Sequence, residues 1–268
     1  MSIDRAGKAY WEHNWESQQG TLPTAVDPYA RSLGNYRNRK FHEYFRGAFS
    51  SIDTRDRKLL EIGCARSAWL PYFAKEFSFK VCGIDYSGVG CRQAAQILKN
   101  EGVEGEIVQA DFFSPPEHML GAFDAVCSFG VMEHFEDTAA CASAFSRFLR
   151  PNRPMITIIP NMSGMTGLIQ KTINPPAFDT HVPLHKSALE ESHRSAGFEV
   201  VSCDYFLFTG LSMVNIENLG GTPFYKVAAR LISWVTKAMW MTEKIVPLLR
   251  PNRWTSPYIV CLARKPCA

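Results

Sequence analysis

Residues 58–85 constrain this chain more than any other stretch. Lys58-Leu-Leu-Glu-Ile62 is a short apolar run suited to a buried strand, and Gly63-Cys-Ala-Arg-Ser-Ala68 is a turn of small residues with one Arg. Residues 69–77 then carry apolar side chains at helical spacing, and Phe79-Lys-Val-Cys-Gly-Ile84 is a second apolar run closing on Asp85. Strand, tight turn, helix, strand and acid spell a βαβ unit. The turn has to bend sharply and let a ligand lie against backbone, which favours residues with little or no Cβ. A carboxylate at the end of the second strand faces a sugar and accepts from both ribose hydroxyls, so Asp85 reads as a nucleoside-binding residue. Glu61 stands where a pyrophosphate-binding turn opens on Gly, and an acid there suits a cationic or amino-bearing ligand better.

The same residues carry a family resemblance. Glu61-Ile-Gly-Cys-Ala-Arg-Ser67 resembles the first motif, E/D-x-G-x-G-x-G, of the class I S-adenosylmethionine-dependent methyltransferases. Gln109-Ala-Asp-Phe-Phe113 resembles that family's segment after the third strand. Phe123-Asp-Ala-Val-Cys-Ser-Phe-Gly-Val-Met-Glu-His-Phe135 resembles its fourth strand and following loop. One departure stands out, because Ala65 and Ser67 replace the second and third glycines of the motif. Both are small, so the turn is expected to survive.

The resemblance implies an α/β fold: a Rossmann-like, doubly wound sheet of seven strands, mostly parallel with an antiparallel last strand. It also implies S-adenosyl-L-methionine as cofactor and S-adenosyl-L-homocysteine as product. Glu61, Gly63 and Ala65 then belong to the cofactor turn, Asp85 grips the ribose and Tyr86 stacks near the adenine. The Asp111 carboxylate accepts from the adenine amino group, the Phe112 amide meets a ring nitrogen, and Phe129 leads into the loop that contacts the methionine part. Plain packing for Tyr86 and a turn-forming role for Asp111 are the competing readings.

With 268 residues, 46% hydrophobic and 21% charged, the chain suffices for one sizeable α/β domain plus additions. A net charge of +3 is too mild, and too little concentrated, for a nucleic-acid binder. The eight cysteines are scattered, with Cys82, Cys127, Cys203 and Cys261 in expected strands and no pair at metal or redox spacing. Reduced, buried thiols are the expectation. The first residues form no apolar signal segment and no apolar run is long enough to span a bilayer, so a cytoplasmic protein is expected.

Residues 1–56 read as an N-terminal helical cap, with an aromatic-rich helix around residues 9–15, a loop at Thr21-Leu-Pro-Thr and Asp27-Pro28, and a second helix over 37–49. Tyr10 and Trp11 are candidates for a wall of the substrate pocket, against a simple packing role. Residues 57–206 and 255–268 form the core. Within it, Ser87 is expected to cap a helix running to about Asn100, and Ser187 one running to Ser195. Residues 162–186 show no strong periodicity and read as an extended loop over the crevice, where acceptor specificity is built.

Candidate chemistry gathers near that crevice. His134 and His181 are the two base candidates for an acceptor hydroxyl. Glu133, Asn161 at the end of the fifth strand and His185 are further substrate candidates. Some family members bind a metal through Glu and His at this loop, but they carry another acid one turn earlier, where this chain has Gly130. No metal is therefore expected.

Residues 207–254 form an insertion holding an amphipathic helix over 223–246, with Phe224, Val227, Leu231, Val235, Ala238 and Met239 recurring at three and four. Trp234, Trp240 and Met241 widen its apolar face, and Lys226, Arg230, Lys237 and Lys244 punctuate it. A helix packed on the domain edge, a lid, a peripheral membrane contact and a homodimer surface through 222–246 all fit this pattern.

The expected function is methyl transfer to oxygen or nitrogen of a small, partly apolar acceptor, with a lipid-linked or membrane-associated acceptor as the alternative. Sulfonium activation of the methyl leaves the protein to align donor and acceptor, exclude water and remove a proton. A nicotinamide-dependent oxidoreductase is disfavoured by Glu61 and the incomplete glycine triplet. A non-catalytic nucleoside-binding module is disfavoured by Asp85, Asp111 and the Glu133-His134 loop, all present together.

Overall fold

Alternating side chains of β1 (Lys58–Ile62) face opposite sides of a sheet. Leu60 and Ile62 enter one apolar core and Leu59 the other. The computed structural model describes residues 3–18, 20, 22–246 and 248–267. Among them, the other strands are β2 (Lys80–Asp85), β3 (Gly105–Gln109), β4 (Ala125–Phe129), β5 (Pro154–Pro160), β6 (Glu199–Phe206) and β7 (Tyr258–Arg264). They form one sheet in the order β3-β2-β1-β4-β5-β7-β6. Only β7 runs against its neighbours β5 and β6, and the rest pair parallel. Ile62 lies level with Ile84 on one side and Ser128 on the other, so β1, β2 and β4 end together. The strand order reverses at β1 and β4, which opens a crevice at those ends.

The helices are α1 (Gly7–Ser17), α2 (Tyr36–Ala48), α3 (Trp69–Phe77), α4 (Gly88–Asn100), α5 (Thr138–Ser146), α6 (Met165–Ile173), α7 (Pro175–Asp179), α8 (Lys186–Ser195) and α9 (Pro223–Ile245). One core lies against α5 and α8 through Phe145 and Leu189, and the other against α2 and α3 through Phe45 and Phe73. Phe41, Phe45 and Phe49 recur every four residues on α2 and its end and are all buried, so this half of the N-terminal segment is part of the core. The α1 half buries no residue of its own. Eight free cysteines, seven of them buried, include Cys82, Cys127, Cys203 and Cys261 inside strands.

Two expectations change, and the alternatives left open for α9 narrow. Residues 162–186 are not an extended loop: they contain α6 and α7, held by polar contacts that no periodicity reveals. The buried Gln170 side chain bonds the Asn215 backbone at both its N–H and its carbonyl. Gly167 lets α6 sit directly on the Met162 backbone, where any Cβ would collide. Ser187 does not cap α8; the His185 ring does, its Nδ1 accepting from the Ala188 amide at 3.3 Å. On α9 the apolar face is turned largely outward, since only Thr236 and Trp240 are buried, while Phe224, Val227, Leu231, Trp234 and Ile245 are each at least 60% exposed. None of the described helices is long and apolar enough to cross a membrane.

Candidate active site

Gly63 sets the site by its backbone. Its φ is +77°, a conformation L side chains rarely adopt, and an added Cβ would overlap Val131 from the loop after β4. Two strand ends therefore approach with nothing between them. The turn is pinned by Asp85, whose Oδ2 accepts from the Ala65 amide at 3.1 Å and Oδ1 from the Ser87 amide at 2.8 Å. Each carboxylate oxygen keeps a second lone-pair direction for hydroxyl donors. Burial pushes the Asp85 carboxyl up to about 6, against the Ser87 and Ala65 amides, which favour the charged form.

Ala65, in place of the second glycine, aims its methyl at Gly90, whose missing side chain makes the room. Ser67, in place of the third, donates to Glu61 Oε2 and accepts from the Trp69 and Leu70 amides, both at 3.0 Å, so it anchors the start of α3. Glu61 is 2% exposed beneath the turn, and burial raises its carboxyl to about 8, opposed by the Ser67 bond and reinforced by the Asp85 charge.

A cavity of about 160 Å³ opens over this turn, lined by Gly63, Ala65, Asp85, Tyr86, Phe112, Phe129 and Gly130 among others. Trp11 and Trp15 of α1 close it from above, stacked at 5.3 Å, with Trp11 edge-on to His134 at 5.1 Å. The cap is tied down at several points. Asp4 accepts from the Tyr86 hydroxyl at 2.8 Å, Glu12 from the Gly88 and Val89 amides at the start of α4, and the Trp15 carbonyl from Gln93.

Beyond Gly130, Glu133 is 1% exposed and both of its carboxylate oxygens lack a hydrogen-bond partner. Burial pushes its carboxyl up to about 8. His134 Nε2 lies 4.0 Å from Glu133 Oε1, and its Nδ1 bonds the Thr180 carbonyl at 2.8 Å. The ring's pKa drops to about 4, through burial first and the neighbouring His181 second, against the Thr180 and Gly130 carbonyls. His181 stands 4.6 Å from His134, ring to ring, with Nδ1 bonded to the Ala177 carbonyl at 2.8 Å, and burial lowers its pKa too.

A family model described as "Methyltransferase domain" matches residues 24–203, about two thirds of the chain. This chain belongs to the class I S-adenosylmethionine-dependent methyltransferases. No curated protein sequence matches it. Among solved structures, a putative sarcosine dimethylglycine methyltransferase from Galdieria sulphuraria aligns at TM-score 0.63 and 12% identity, over 95% of this chain and 98% of that one. The [4+2]-cyclase SpnF aligns at TM-score 0.62 and 16% identity, over 97% and 96%. Phosphoethanolamine N-methyltransferase 2 of Haemonchus contortus, in complex with S-adenosyl-L-methionine, aligns at 0.58 and 15%, over 98% of this chain and 58% of that one. At such identities the likeness is one of fold.

The methyltransferase's cofactor is S-adenosyl-L-methionine, and the cradle fits such a group: a side-chain-free bend at Gly63, a carboxylate with free lone pairs at Asp85 and aromatic walls. Of the residues singled out in the sequence, Gly63, Ala65, Asp85, Tyr86, Phe112, Phe129, Trp11 and His134 line this cavity, with Glu133 and His181 beside it. Others stand elsewhere. Glu61 supports the turn from below. Asp111 is exposed, its Oδ1 taken by the Phe113 amide at 2.9 Å in a local turn. Tyr10 faces a separate surface groove with Arg66 and Glu217. Asn161 is fully buried, donating to the Arg253 and Ser256 carbonyls and so fastening the end of β5 to the approach to β7. His185 is spent on capping α8. Asp4, Trp15 and Val131 also line the cavity without having been singled out: Trp15 belongs to the aromatic-rich helix and Val131 to the loop after the fourth strand, while Asp4 gives no local sequence signal.

Proposed function

We propose that this methyltransferase moves a methyl group to an oxygen or nitrogen of a small, partly apolar acceptor. The observation that carries the reading is a second cavity of about 200 Å³, which shares Phe129 and Gly130 with the cofactor cavity and is otherwise walled by Phe41, Trp69, Ile158, Pro160 and Met213, with Arg37 and Tyr258 at its edge. Trp69 and Phe129 stack face to face at 5.2 Å between the two spaces. An apolar body beside Ile158 and Met213 brings its reactive atom toward Gly130, where the two cavities join. The sulfonium methyl is already electrophilic, so the chain's own work is alignment, exclusion of water by Trp11 and Trp15, and acceptance of the acceptor's proton. His134 and His181, both held neutral by burial, are the groups nearest to that task.

Calorimetry with S-adenosyl-L-methionine and S-adenosyl-L-homocysteine tests the cofactor half of this reading. Binding is expected for the wild type and a large loss for Asp85→Ala; undiminished binding by that variant would count against the cradle. Turnover against a panel of apolar hydroxyl and amine acceptors, with Met213→Trp to fill the second cavity, tests the other half. That variant should raise KM for the acceptor and leave the affinity for S-adenosyl-L-homocysteine unchanged.

The outer face of α9 supports a second reading, an acceptor held at an anionic lipid surface. Phe224, Val227, Leu231, Trp234, Ala238, Met241 and Ile245 form one exposed seam, flanked by the exposed Lys226, Arg230, Lys237 and Lys244. The helix's single acid, Glu243, is half-buried and accepts from the Phe208 amide. An apolar seam with only cationic flanks complements anionic headgroups and repels a second copy of itself. Co-sedimentation with phosphatidylserine vesicles, weakened by salt and by Leu231→Ser with Trp234→Ser, is expected. Equal binding to neutral vesicles, or a salt-resistant dimer instead, would remove this reading.

A further inference from the structure

Among the residues lining the second cavity, Arg37 alone brings a charge, and the Tyr258 hydroxyl stands against it. We propose that this pair holds a carboxylate, so that the acceptor is an aromatic or aliphatic acid whose reacting hydroxyl or amine lies at the end remote from the acid. The inference rests on the methyl-transfer reading and names the substrate class for it.

The first support is a cation without a counter-ion. Arg37 is half-buried at the start of α2, and among the described residues no carboxylate lies within ion-pair distance of it. Its side chain makes two polar contacts: Nε donates to Oδ1 of the adjoining Asn38 at 3.3 Å, and Nη1 to the Tyr258 hydroxyl at 3.4 Å. Both are long, and both go to neutral oxygens. A guanidinium carries five N–H donors in a planar fork, so most of its capacity is left for a ligand. An arginine that merely covers apolar surface keeps its head in water. This one sets its head against a buried phenol.

The second support is that phenol. Tyr258 is 5% exposed, its oxygen accepts from Arg37, and among the described residues its own proton has no acceptor. A buried tyrosine hydroxyl ordinarily finds a partner. Guanidinium and phenol both donate, so what they lack in common is an acceptor, and the charge of the first asks for an anion. The two oxygens of a planar carboxylate satisfy both. One cation balances one negative charge, which favours a carboxylate over a phosphomonoester with its charge of about −1.5 to −2.

The third support is distance across the sheet. The Gly130 amide, where the two cavities join, donates to the Ile158 carbonyl of β5, while Tyr258 is level with Pro160 on the other side of that strand. The strands there run β4-β5-β7, so two strand spacings, about 10 Å, separate the acid-binding side from the side proposed for methyl transfer. Phe129, Ile158 and Tyr258 belong to one core cluster and so share a face of the sheet. A phenol bearing a short acid chain spans such a gap, with the hydroxyl at one end and the carboxylate at the other.

The probes are para-hydroxyphenylpropanoate, its neutral amide and para-hydroxyphenylethyl phosphate. Each is titrated by ligand-detected NMR into the full-length protein saturated with S-adenosyl-L-homocysteine, for the wild type, Arg37→Met, Tyr258→Phe and Met213→Trp. Calorimetry with S-adenosyl-L-homocysteine checks that every variant keeps its fold and cofactor site. The wild type should prefer the carboxylate to the amide by at least about tenfold. Arg37→Met should abolish the preference by weakening the carboxylate alone, Tyr258→Phe should reduce it about fivefold, and Met213→Trp should weaken both ligands together. Equal affinity of the wild type for acid and amide, a preference that survives Arg37→Met, or tighter binding of the phosphate would overturn the proposal; if Met213→Trp still weakens binding, the acceptor pocket itself stands. Binding of no probe, or binding indifferent to Met213→Trp, would remove the second cavity as the acceptor site and this proposal with it.

Discussion

Asp85 does two jobs with one carboxylate, and its protonation separates them. Its oxygens hold the Ala65 and Ser87 amides, and the same ionised oxygens are the acceptors for a ribose. Burial raises its carboxyl to about 6, above the usual value. Above that pH the group is charged and accepts; as the pH falls through about 6 it protonates and the acceptor is lost. Affinity for S-adenosyl-L-homocysteine, measured by calorimetry from about pH 8 to about pH 5, should therefore fall at the acid end, and Asp85→Asn should bind weakly and without that dependence. A flat wild-type profile would contradict this. At Gly63 the prediction is steric. Gly63→Ala meets both the positive φ and Val131, costs about 1–3 kcal/mol of stability in urea unfolding and lowers cofactor affinity. These two positions were legible because a single βαβ unit encodes turn, acid and spacing within 28 consecutive residues, 58–85. Asp4 and Glu12 were not, since their partners Tyr86 and Gly88 lie 82 and 76 residues away and no local pattern announces a bond over that distance.

Among elements, α1 is the one that covers the cofactor cavity without entering the core. It buries no residue, yet it supplies two tryptophans to a cavity of about 160 Å³, small beside the ~300–1,000 Å³ of pockets that hold full-sized ligands. A nucleoside entering from that side meets Trp11 and Trp15, and α1 is held over the cavity by several polar contacts. Glu12 on the first two amides of α4 is such a fastening, comparable to a helix cap worth about 1 kcal/mol. Glu12→Ala should speed release of S-adenosyl-L-homocysteine roughly fivefold, read by stopped-flow quenching of Trp11 and Trp15, with little change in melting temperature. An unchanged release rate would mean that α1 does not gate the site. The existence of α1, α2 and α9 was legible from periodicity, but direction was not. Periodicity finds an apolar face without saying what it meets, so the stripe on α9 left packing, a lid, a membrane contact and a dimer surface open, and only the structure shows it pointing largely away from the core. The helices α6 and α7 were missed for the opposite reason. Gln170, Asn174 and Gly167 hold them by contacts specific to this tertiary setting.

At the scale of the whole molecule, the site is a cost that the remaining fold carries. Glu61 and Glu133, each with its carboxyl raised to about 8, stay protonated in the folded chain at pH values where the unfolded chain has already lost both protons. The folded state then binds more protons than the unfolded one, so stability falls as pH rises between the unfolded and folded values. Buried histidines act with the other sign. His134, His181 and His193 have lowered pKa values, so the stability associated with keeping them neutral is present above about 6.5 and is lost as pH falls. Below about 6.5 the two sets oppose one another; between about 6.5 and about 8 the histidines are neutral in both states and only the carboxylates change. Melting temperature of the protein should therefore decline across that upper window, by an amount on the order of several degrees. Glu61→Gln keeps an acceptor for the Ser67 hydroxyl while removing the titrating group, so it should flatten the decline and raise the melting temperature most at the alkaline end. A variant that melts in parallel with the wild type across the window would show that Glu61 is ionised in the folded protein, and that the turn at Gly63 is underpinned by a charge rather than by a neutral acid.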